Sequence, residues 1–393
     1  MEELQLPLPL EIEPMKLEEY TDLMLKEYVP KVWRGKIQHI DIDNFHISVE
    51  ALYDPWLNRV PAVTYRKNGP ITSVNPLAKK KGIKTTMRIS EALEIEPNLV
   101  RVEEHHQRYA EASERFYNFF RNRPGKVEGY SPDELFRDLS ELSPVEATKE
   151  AQESLEEGRE ELHLRMTGCL APNRILAKRG TNMAKPNGFL QIPLEQPLEE
   201  SAKIFYHLPV EEFHGVGLKS GQRLRKDGFE TIGDLGRAPL ANLIGPFKIA
   251  NGIKLYYLSR GIDILPFPWV IESRESIGHS LGPYDLDPEK KRHYFLDWEE
   301  IKFGFRLLAI KIAQEMENEN SDGKTVSISL RFKETQKRRS KQKSVRPYFH
   351  DAEVMISVIE GELLPKLFTQ KVIDMISLRI TGLQKDRTQL RLL

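Results

Sequence analysis

Cysteine is almost absent from this 393-residue chain, in which Cys169 is the single example. One thiol excludes an internal disulfide and a cysteine-based zinc site. The apolar neighbours of Cys169 predict a buried and unreactive side chain. Redox chemistry is therefore not expected.

Long apolar runs are also missing. No stretch is long enough to cross a bilayer, and the amino terminus lacks the basic-then-apolar pattern of a signal peptide. Hydrophobic residues make up 39% and charged residues 30% of the chain, which is typical of globular proteins. We expect a cytoplasmic protein with no membrane partner.

The net charge is close to zero, at −1 from 58 basic and 59 acidic residues, so the total neither indicates nor excludes a polyanionic partner. Its distribution is uneven. Between Asp322 and Arg346 nine bases face two acids, an excess of seven positive charges. That excess predicts contact with phosphates, and the alternative is a disordered basic loop. The bases are Lys324, Arg331, Lys333, Lys337, Arg338, Arg339, Lys341, Lys343 and Arg346.

The length predicts two to four domains, and alternating strand and helix patterns predict an α+β fold. The carboxy-terminal unit reads as strand, helix, strand, basic loop, helix and strand. The main elements expected before it are a strand at Lys36 to Ile42, a helix at His105 to Arg121, a strand at Lys126 to Tyr130, a helix after the following acidic pair, a strand at Leu162 to Thr167 and a helix at Asn173 to Met183.

Three carboxylates carry the functional interpretation. Asp41 ends the apolar segment QHID, and Asp133 and Glu134 are adjacent in GYSPDELF, about ninety residues later. Oxygen ligands of this kind can converge on two divalent ions about 3.5–4 Å apart, which suits phosphoryl transfer. Clustered acids would repel one another without cations, so the cluster favours Mg²⁺. The alternative, solvated strand ends, is the better reading of the doublet by itself.

Four segments in order extend this interpretation: DIDNFHISVEAL, GYSPDELFRDLSE, TGCLAPNRILAKRGTNMAKPNG and FHGVGLKSGQRLRKDGFETIGDL. Together they resemble the motifs of the Y-family translesion DNA polymerases, closest in layout to the polymerase IV type. The resemblance runs from about Lys36 to Leu383. It implies a template-directed DNA polymerase of low fidelity, a nucleoid-associated monomer that binds primer-template DNA and deoxynucleoside triphosphates.

The resemblance also implies a right-hand fold. Its parts are an amino-terminal arm (1–35), a palm (36–44 and 103–195), fingers (45–102), a helical thumb with a helix-hairpin-helix (196–265), an α/β little finger that binds DNA (275–385) and a tail (386–393).

Site residues follow from the resemblance by position. The catalytic acids Asp41, Asp133 and Glu134, with the Ile42 carbonyl, would hold two Mg²⁺ ions, for which Mn²⁺ could substitute. Asp43 more often supports the strand than binds a ligand. The nucleotide-binding set is Asp43, Asn44, Phe45, His46, Lys79 and Lys185. The DNA-binding set is Gly215, Gly217, Lys219, Arg331, Lys333, Lys337, Arg338 and Arg339.

Two positions depart from the family pattern. His46 stands where the family usually has the Tyr or Phe that excludes a 2′-hydroxyl, and this smaller polar gate predicts weaker sugar discrimination. Pro76 and Lys79 stand where the family has the Tyr and Arg that meet the triphosphate, and lysine loses the bidentate geometry of arginine. We therefore expect reduced nucleotide affinity.

Both termini carry peptides that resemble sliding-clamp motifs: QLPLPL at residues 5–10 and QLRLL at residues 389–393, with Gln389, Leu390 and Leu392 as contacts. Two competing functions remain open. A polymerase-like scaffold without catalysis would bind DNA and a clamp, but it would not need the three acids. A nucleotide cyclase would also use paired acids, but it would not need the hairpin or the basic unit.

Overall fold

The computed structural model describes residues 34–66, 69–213, 215–247, 249–264, 275–286 and 294–385. The chain divides into a first unit, Met1–Trp269, and a second unit, Val270–Leu393. Both units combine sheets with helices, which confirms the α+β prediction. The arm up to residue 33 and residues 386–393, with both clamp-like peptides, lie outside the described residues.

The first unit contains eight strands and eleven α-helices within its described ranges. The strands are β1 (Ile37–Ile42), β2 (Ala62–Tyr65), β3 (Ile71–Val74), β4 (Val100–Glu103), β5 (Lys126–Ser131), β6 (Glu134–Asp138), β7 (Met166–Ala171) and β8 (Phe189–Gln191). The helices are α1 (Phe45–Tyr53), α2 (Pro76–Lys80), α3 (Ile89–Ile95), α4 (His106–Arg121), α5 (Pro144–Leu162), α6 (Arg174–Ala184), α7 (Leu198–Ala202), α8 (Leu218–Lys226), α9 (Ile232–Arg237), α10 (Leu240–Phe247) and α11 (Ile249–Ser259).

Strand β1 is the centre of a five-stranded sheet with the order β5-β6-β1-β7-β8. Every residue of β1 is buried, because helices cover both faces of the sheet. On one face Ile40 packs with Phe116 and Phe120 of α4. On the other face Ile37 packs in the same cluster as Leu176 and Ala177 of α6. The central position holds the end of β1 rigidly between two antiparallel neighbours, β6 and β7.

A second, smaller sheet has the order β3-β2-β4. Its core contains Val63, Val74 and Ala92, which belong to β2, β3 and α3. Helices α7 to α11 follow the large sheet along the chain, and their apolar residues, such as Phe205 and Leu235, join the cluster on the α6 face. These helices therefore pack directly on the sheet that carries the acids.

The second unit has a four-stranded sheet with the order β11-β10-β12-β9, and a two-residue strand, β13, pairs with β10. Its strands are β9 (Ser276–Leu281), β10 (Ser321–Phe332), β11 (Arg338–Phe349), β12 (Ile373–Thr381) and β13 (Gln384–Lys385). Its α-helices are α12 (Pro283–Leu286), α13 (Trp298–Asn318) and α14 (Ala352–Val358). Val326, Ile328 and Leu330 of β10 are fully buried, which confirms the predicted alternation.

The helix expected after the acidic pair is α5 (Pro144–Leu162), which confirms that prediction. Strand β6 precedes α5 and was not predicted. Its buried Arg137 ties it to β1, because the guanidinium donates to Gln38 Oε1 from Nε at 3.0 Å and from Nη2 at 2.7 Å. One secondary-structure prediction is wrong. The basic loop expected after β10 is strand β11, which is exposed over most of its length. Its backbone pairs with β10, so main-chain hydrogen bonding makes a strand where charge predicted a loop.

One prediction is displaced along the chain. The strand expected at Leu162 to Thr167 begins only at Met166, because α5 continues to Leu162 and ends on His163 in a left-handed conformation (φ 54°). The other expected elements of the first unit, at residues 36–42, 105–121, 126–130 and 173–183, lie within one or two residues of β1, α4, β5 and α6. Cys169 is buried, as predicted.

Contact between α6 and β7 depends on the absence of a side chain at Gly180, where an added Cβ would overlap Cys169 Sγ. We expect Gly180→Ala to lower the free energy of unfolding by about 1–3 kcal/mol, because overpacking forces helix and strand apart. Urea denaturation measures this change.

Two variants control for that measurement. Adding Cys169→Ala should recover most of the loss, because it removes the overlapping sulfur. Gly361→Ala should be neutral or stabilising, because no atom lies within 4 Å of the added Cβ. A Gly180→Ala protein as stable as the parent chain would contradict the packing argument.

Candidate active site

The pairing of β1 with β6 brings the distant acids together. Asp41 is directly opposite Glu134 in the antiparallel register. The backbone N–H of Ile42 donates to the carbonyl oxygen of Asp133 at 2.9 Å. The turn between β5 and β6 therefore carries the Asp133–Glu134 pair to the end of β1, as the sequence predicted.

The Asp41 and Glu134 carboxyl groups are close enough to share a proton. Burial, followed by the hydrogen bond with Glu134, raises the pKa of Asp41 to about 8. Burial also acts to raise the pKa of Glu134, but the hydrogen bonds with Asp41 and Lys178 outweigh it and lower that pKa to about 2. The two carboxyl groups therefore titrate as a coupled pair, in which one proton and one negative charge are favoured over two negative charges.

Two lysines contact the acid pair. Lys185, the residue that ends α6, places its Nζ 2.6 Å from Asp41 Oδ1. Lys178 places its Nζ 2.7 Å from Glu134 Oε1. The sequence interpretation included Lys185 and missed Lys178. The spacing could have indicated Lys178, because it lies seven residues, or two helical turns, before Lys185 and so shares a face with it.

Ser131 is a second residue that the sequence interpretation missed. Its hydroxyl lies 2.7 Å from Asp133 Oδ1 and 3.2 Å from Glu134 Oε2. The hydroxyl of Tyr117 lies within hydrogen-bond distance of the carbonyl oxygens of Ser131 and Glu134. These contacts fix the turn that presents the two acids.

The donors at the site suit a hard divalent cation, although the side chains are not arranged as a finished metal site. Carboxylate oxygens are the ligands that Mg²⁺ prefers, and a cation between Asp41 and Glu134 would take the place of their shared proton. Among the described residues no group of three His, Cys, Asp or Glu side chains is placed to hold one ion. Asp133 instead meets Ser131. The structure thus brings the side chains of Asp41 and Glu134, two of the predicted ligands, together. The third, Asp133, is held next to them by the hydrogen bond from the backbone N–H of Ile42 to its carbonyl oxygen.

The residues after Asp41 divide into buried and accessible groups. Asp43 is buried and accepts hydrogen bonds from Thr167 Oγ1, at 3.0 Å, and from the backbone N–H of Asn187, at 2.7 Å. These contacts favour the structural role for Asp43. The side chain of Phe45 is buried in the core, so the Phe45 backbone is what remains for a nucleotide contact.

The side chains of Asn44 and Lys79 are in contact. Asn44 has a left-handed backbone (φ 52°) and starts α1, and its Oδ1 accepts a hydrogen bond from Lys79 Nζ. Pro76 occupies the first turn of α2, where a missing N–H costs nothing, and Asn75 caps that helix. Pro76 is therefore explained as a helix start, and the phosphate contact of Lys79 stays a prediction.

His46 is half-buried, with its ring centroid 4.6 Å from that of Tyr109. Burial lowers the pKa of His46 below its ordinary value, so the ring is neutral at pH 7. Phe45, His46, Tyr109 and Tyr117 line part of an open cleft of about 570 Å³. The predicted sugar gate is thus an uncharged imidazole at the wall of a cleft.

The predicted hairpin glycines are accessible. Gly215 has φ 84°, Gly217 precedes α8, and a Cβ added at either position would meet no atom within 4 Å. Lys219 follows on the exposed side of α8. Backbone N–H groups at such a helix start suit a phosphate.

The predicted basic residues of the second unit differ in what they contact. Arg331 pairs with Asp374 at 2.8 Å, and Lys333 Nζ lies 4.8 Å from the ring centroid of Tyr294. Lys337 and Arg339 are exposed. Arg338 lines a polar groove of about 250 Å³ on the sheet together with Arg379, which the sequence interpretation missed.

Residues 40–182 match the impB/mucB/samB family, and residues 291–392 match the C-terminal domain of the same family. DNA polymerase IV 1 of Bacillus subtilis (strain 168) is 30% identical over 308 residues, covering 75% of this chain and 70% of that protein. DNA polymerase IV of Pseudomonas savastanoi pv. phaseolicola is 33% identical over 258 residues, covering 64% and 71%.

A solved structure shares the fold. A Y-family DNA polymerase chimera of Dbh and Dpo4 superimposes with a TM-score of 0.76 at 22% identity, covering 89% of this chain and 100% of that one. No helix within the described ranges is long and apolar enough to cross a membrane.

Proposed function

The chain belongs to the impB/mucB/samB family of Y-family DNA polymerases and is a DNA-directed DNA polymerase of the polymerase IV type, and on that premise we propose that it extends primers across damaged templates with low fidelity, by two-metal nucleotidyl transfer. The observation that carries this proposal is the meeting of Asp41 and Glu134 across β1 and β6, with Asp133 beside them.

The acids would hold the cations. Asp41, Asp133, Glu134 and the Ile42 carbonyl are the proposed ligands, and the all-oxygen set favours Mg²⁺ with Mn²⁺ as a substitute. Two such ions, when bound, lower the pKa of a primer 3′-hydroxyl and stabilise charge on the leaving pyrophosphate. Burial of the acids in the sheet pre-organises them for this task.

The lysines would bind the triphosphate. Lys185 already lies beside Asp41, at 2.6 Å, and Lys79 lies beside Asn44. Both can offer a positive charge to phosphate oxygens of a nucleotide. Because neither has the planar fork of arginine, we propose that nucleotide binding rests on charge more than on bidentate hydrogen bonds.

DNA would be held without reading its sequence. The uncrowded backbone at Gly215 and Gly217 suits a DNA phosphate, and exposed bases on β11 offer further charge. Arg338 and Arg379 flank a groove of hydroxyl-bearing residues, which adds neutral donors. Affinity should therefore fall steeply with salt and depend little on sequence.

A primer-extension assay with Mg²⁺ tests the function. The parent chain should add deoxynucleotides to a primer, and Asp133→Ala combined with Glu134→Ala should reduce the rate by at least about 1,000-fold, because catalysis depends on the bound ions. A DNA-binding measurement on the same variant should show little change. Synthesis by the double variant would overturn the proposed site, and a parent chain that binds DNA without extending it would indicate a scaffold.

Sugar discrimination is the property we propose to be weakened by His46. A neutral imidazole fills less space than phenol, and poor exclusion of one small group is worth about 1–3 kcal/mol, or roughly 10–200-fold in selectivity. His46→Tyr should raise the ratio of kcat/KM for dATP over ATP by an amount in this range. Equal ratios in the parent and the variant would show that His46 is not the gate.

A sliding clamp is a proposed partner of the terminal peptide at residues 389–393, and the chain would work as a monomer. The proposal rests on the sequence QLRLL. Deleting these five residues should abolish clamp-stimulated synthesis and leave clamp-free synthesis unchanged. Primer extension with and without clamp measures both rates. An undiminished clamp response after this deletion would contradict the assignment of residues 389–393. Loss of the clamp response on deleting only residues 5–10 would contradict it as well.

A further inference from the structure

Lys178 is built into the acid site although no motif marked it. It lies on α6 with only 14% of its side chain exposed, and Glu134, its partner at 2.7 Å, is 15% exposed. A lysine this deeply placed loses much of its hydration, and the charge of one carboxylate has to compensate it. The pair is therefore an integral part of the site and not a solvated surface bridge.

Aromatic contacts fix where the ammonium group sits. Lys178 Nζ lies 4.3 Å from the ring centroid of Tyr130, within the range of a cation–π interaction. Tyr130 is held in turn by Phe136, edge to face, with ring centroids 5.6 Å apart. Tyr130 and Phe136 belong to β5 and β6, the strands on either side of the acidic turn. The lysine is thus restrained by the same hairpin that carries Glu134.

Both oxygens of Glu134 have a polar neighbour. Lys178 Nζ donates to Oε1 at 2.7 Å, and Oε2 lies 3.2 Å from Ser131 Oγ, whose single proton it shares with Asp133 Oδ1. The lysine is therefore the stronger partner that restricts rotation of the carboxylate, as outer partners do for metal ligands elsewhere. Glu134 is consequently presented to Asp41 in one orientation.

We propose that Lys178 is a positioning residue of the polymerase site, which orients Glu134 toward Asp41 and competes with divalent cations for that carboxylate. This inference rests on the proposed function. Lys185 is the lysine proposed to bind the triphosphate, and Lys178 is a second lysine, which tunes the affinity of the site for cations. The fixed positive charge opposes a cation at Glu134 by Coulomb repulsion. Lys178 therefore lowers the affinity of the site for cations and at the same time fixes the orientation of the Glu134 carboxylate.

The two effects predict opposite changes when the charge is removed. In Lys178→Met, cations should bind more tightly, because the competing charge is gone. Nucleotide insertion should become slower, because Glu134 is no longer oriented. A residue needed only for folding would weaken cation binding and insertion together.

Terbium(III) luminescence measures cation binding without depending on catalysis. Tb³⁺ takes oxygen ligands and is sensitised by nearby tyrosines, so the DNA-free protein can be titrated directly. We expect Lys178→Met to lower the apparent Kd for Tb³⁺ by about 3–30-fold, since even a partly screened unit charge at this distance is worth about one tenfold step. Competition with Mg²⁺ should give the same ratio.

Single-turnover nucleotide insertion measures the effect of Lys178 on the rate of catalysis. Lys178→Met should slow insertion by about 10–100-fold, the loss typical of a removed outer partner. Lys178→Arg keeps the charge and should restore both the Tb³⁺ affinity and most of the rate. Lys149→Met, at an exposed lysine of α5 that pairs with Glu153, should leave both measurements unchanged.

The possible results distinguish failure of this proposal from failure of the proposed function. Tb³⁺ binding that is unchanged or weaker in a folded Lys178→Met protein overturns the proposal, and so does an unchanged insertion rate. If the methionine variant does not fold, Lys178→Gln replaces it, because glutamine removes the charge and keeps a donor. Failure of the proposed function would show instead as synthesis that survives loss of Asp133 and Glu134, whatever the Tb³⁺ result.

Discussion

The approach of Asp41 to Glu134 is the constraint on which the site depends. Two buried carboxylates repel one another when both are charged, and the structure relieves this repulsion by one shared proton and two lysines. The shared proton and the two lysines hold the site in a low-charge state, and the sheet fixes the backbone positions of the two acids.

The sheet can impose this arrangement because its interior polar groups are well partnered. Arg137, fully buried on β6, donates to Gln38 of β1 and to Glu150 of α5 at 2.7–3.0 Å. His39 Nδ1 lies 3.0 Å from Thr181 Oγ1 of α6. These contacts lock β1, β6 and two helices in register, and a slip of one residue would turn the acids to the wrong face. Stability of the core and placement of the acids are therefore one property.

Sequence patterns predicted the elements with a strong apolar period and the acids at their ends. Strand β1, helix α4 and the core alternation of β10 followed from local pattern, whereas the meeting of Asp41 with the acidic pair was implied by the family resemblance. Strand β6 was missed because its buried Arg137 breaks the apolar pattern, and only the tertiary partners of that arginine explain it. Lys178 and Ser131 were missed because their roles arise from distance in space. Strand β11 was missed because its charge resembles that of a loop, whereas its pairing with β10 is invisible locally.

Strand β11 has a second consequence beyond the nucleic-acid contact proposed for it. It lies at the outer edge of its sheet, where one row of backbone N–H and C=O groups faces away from β10. Such a row is a template on which another polypeptide can add a strand and begin aggregation. The closely spaced lysines and arginines of β11 repel a like-charged copy of the same edge, so the residues proposed to contact DNA phosphates also oppose the joining of separate molecules into fibrils.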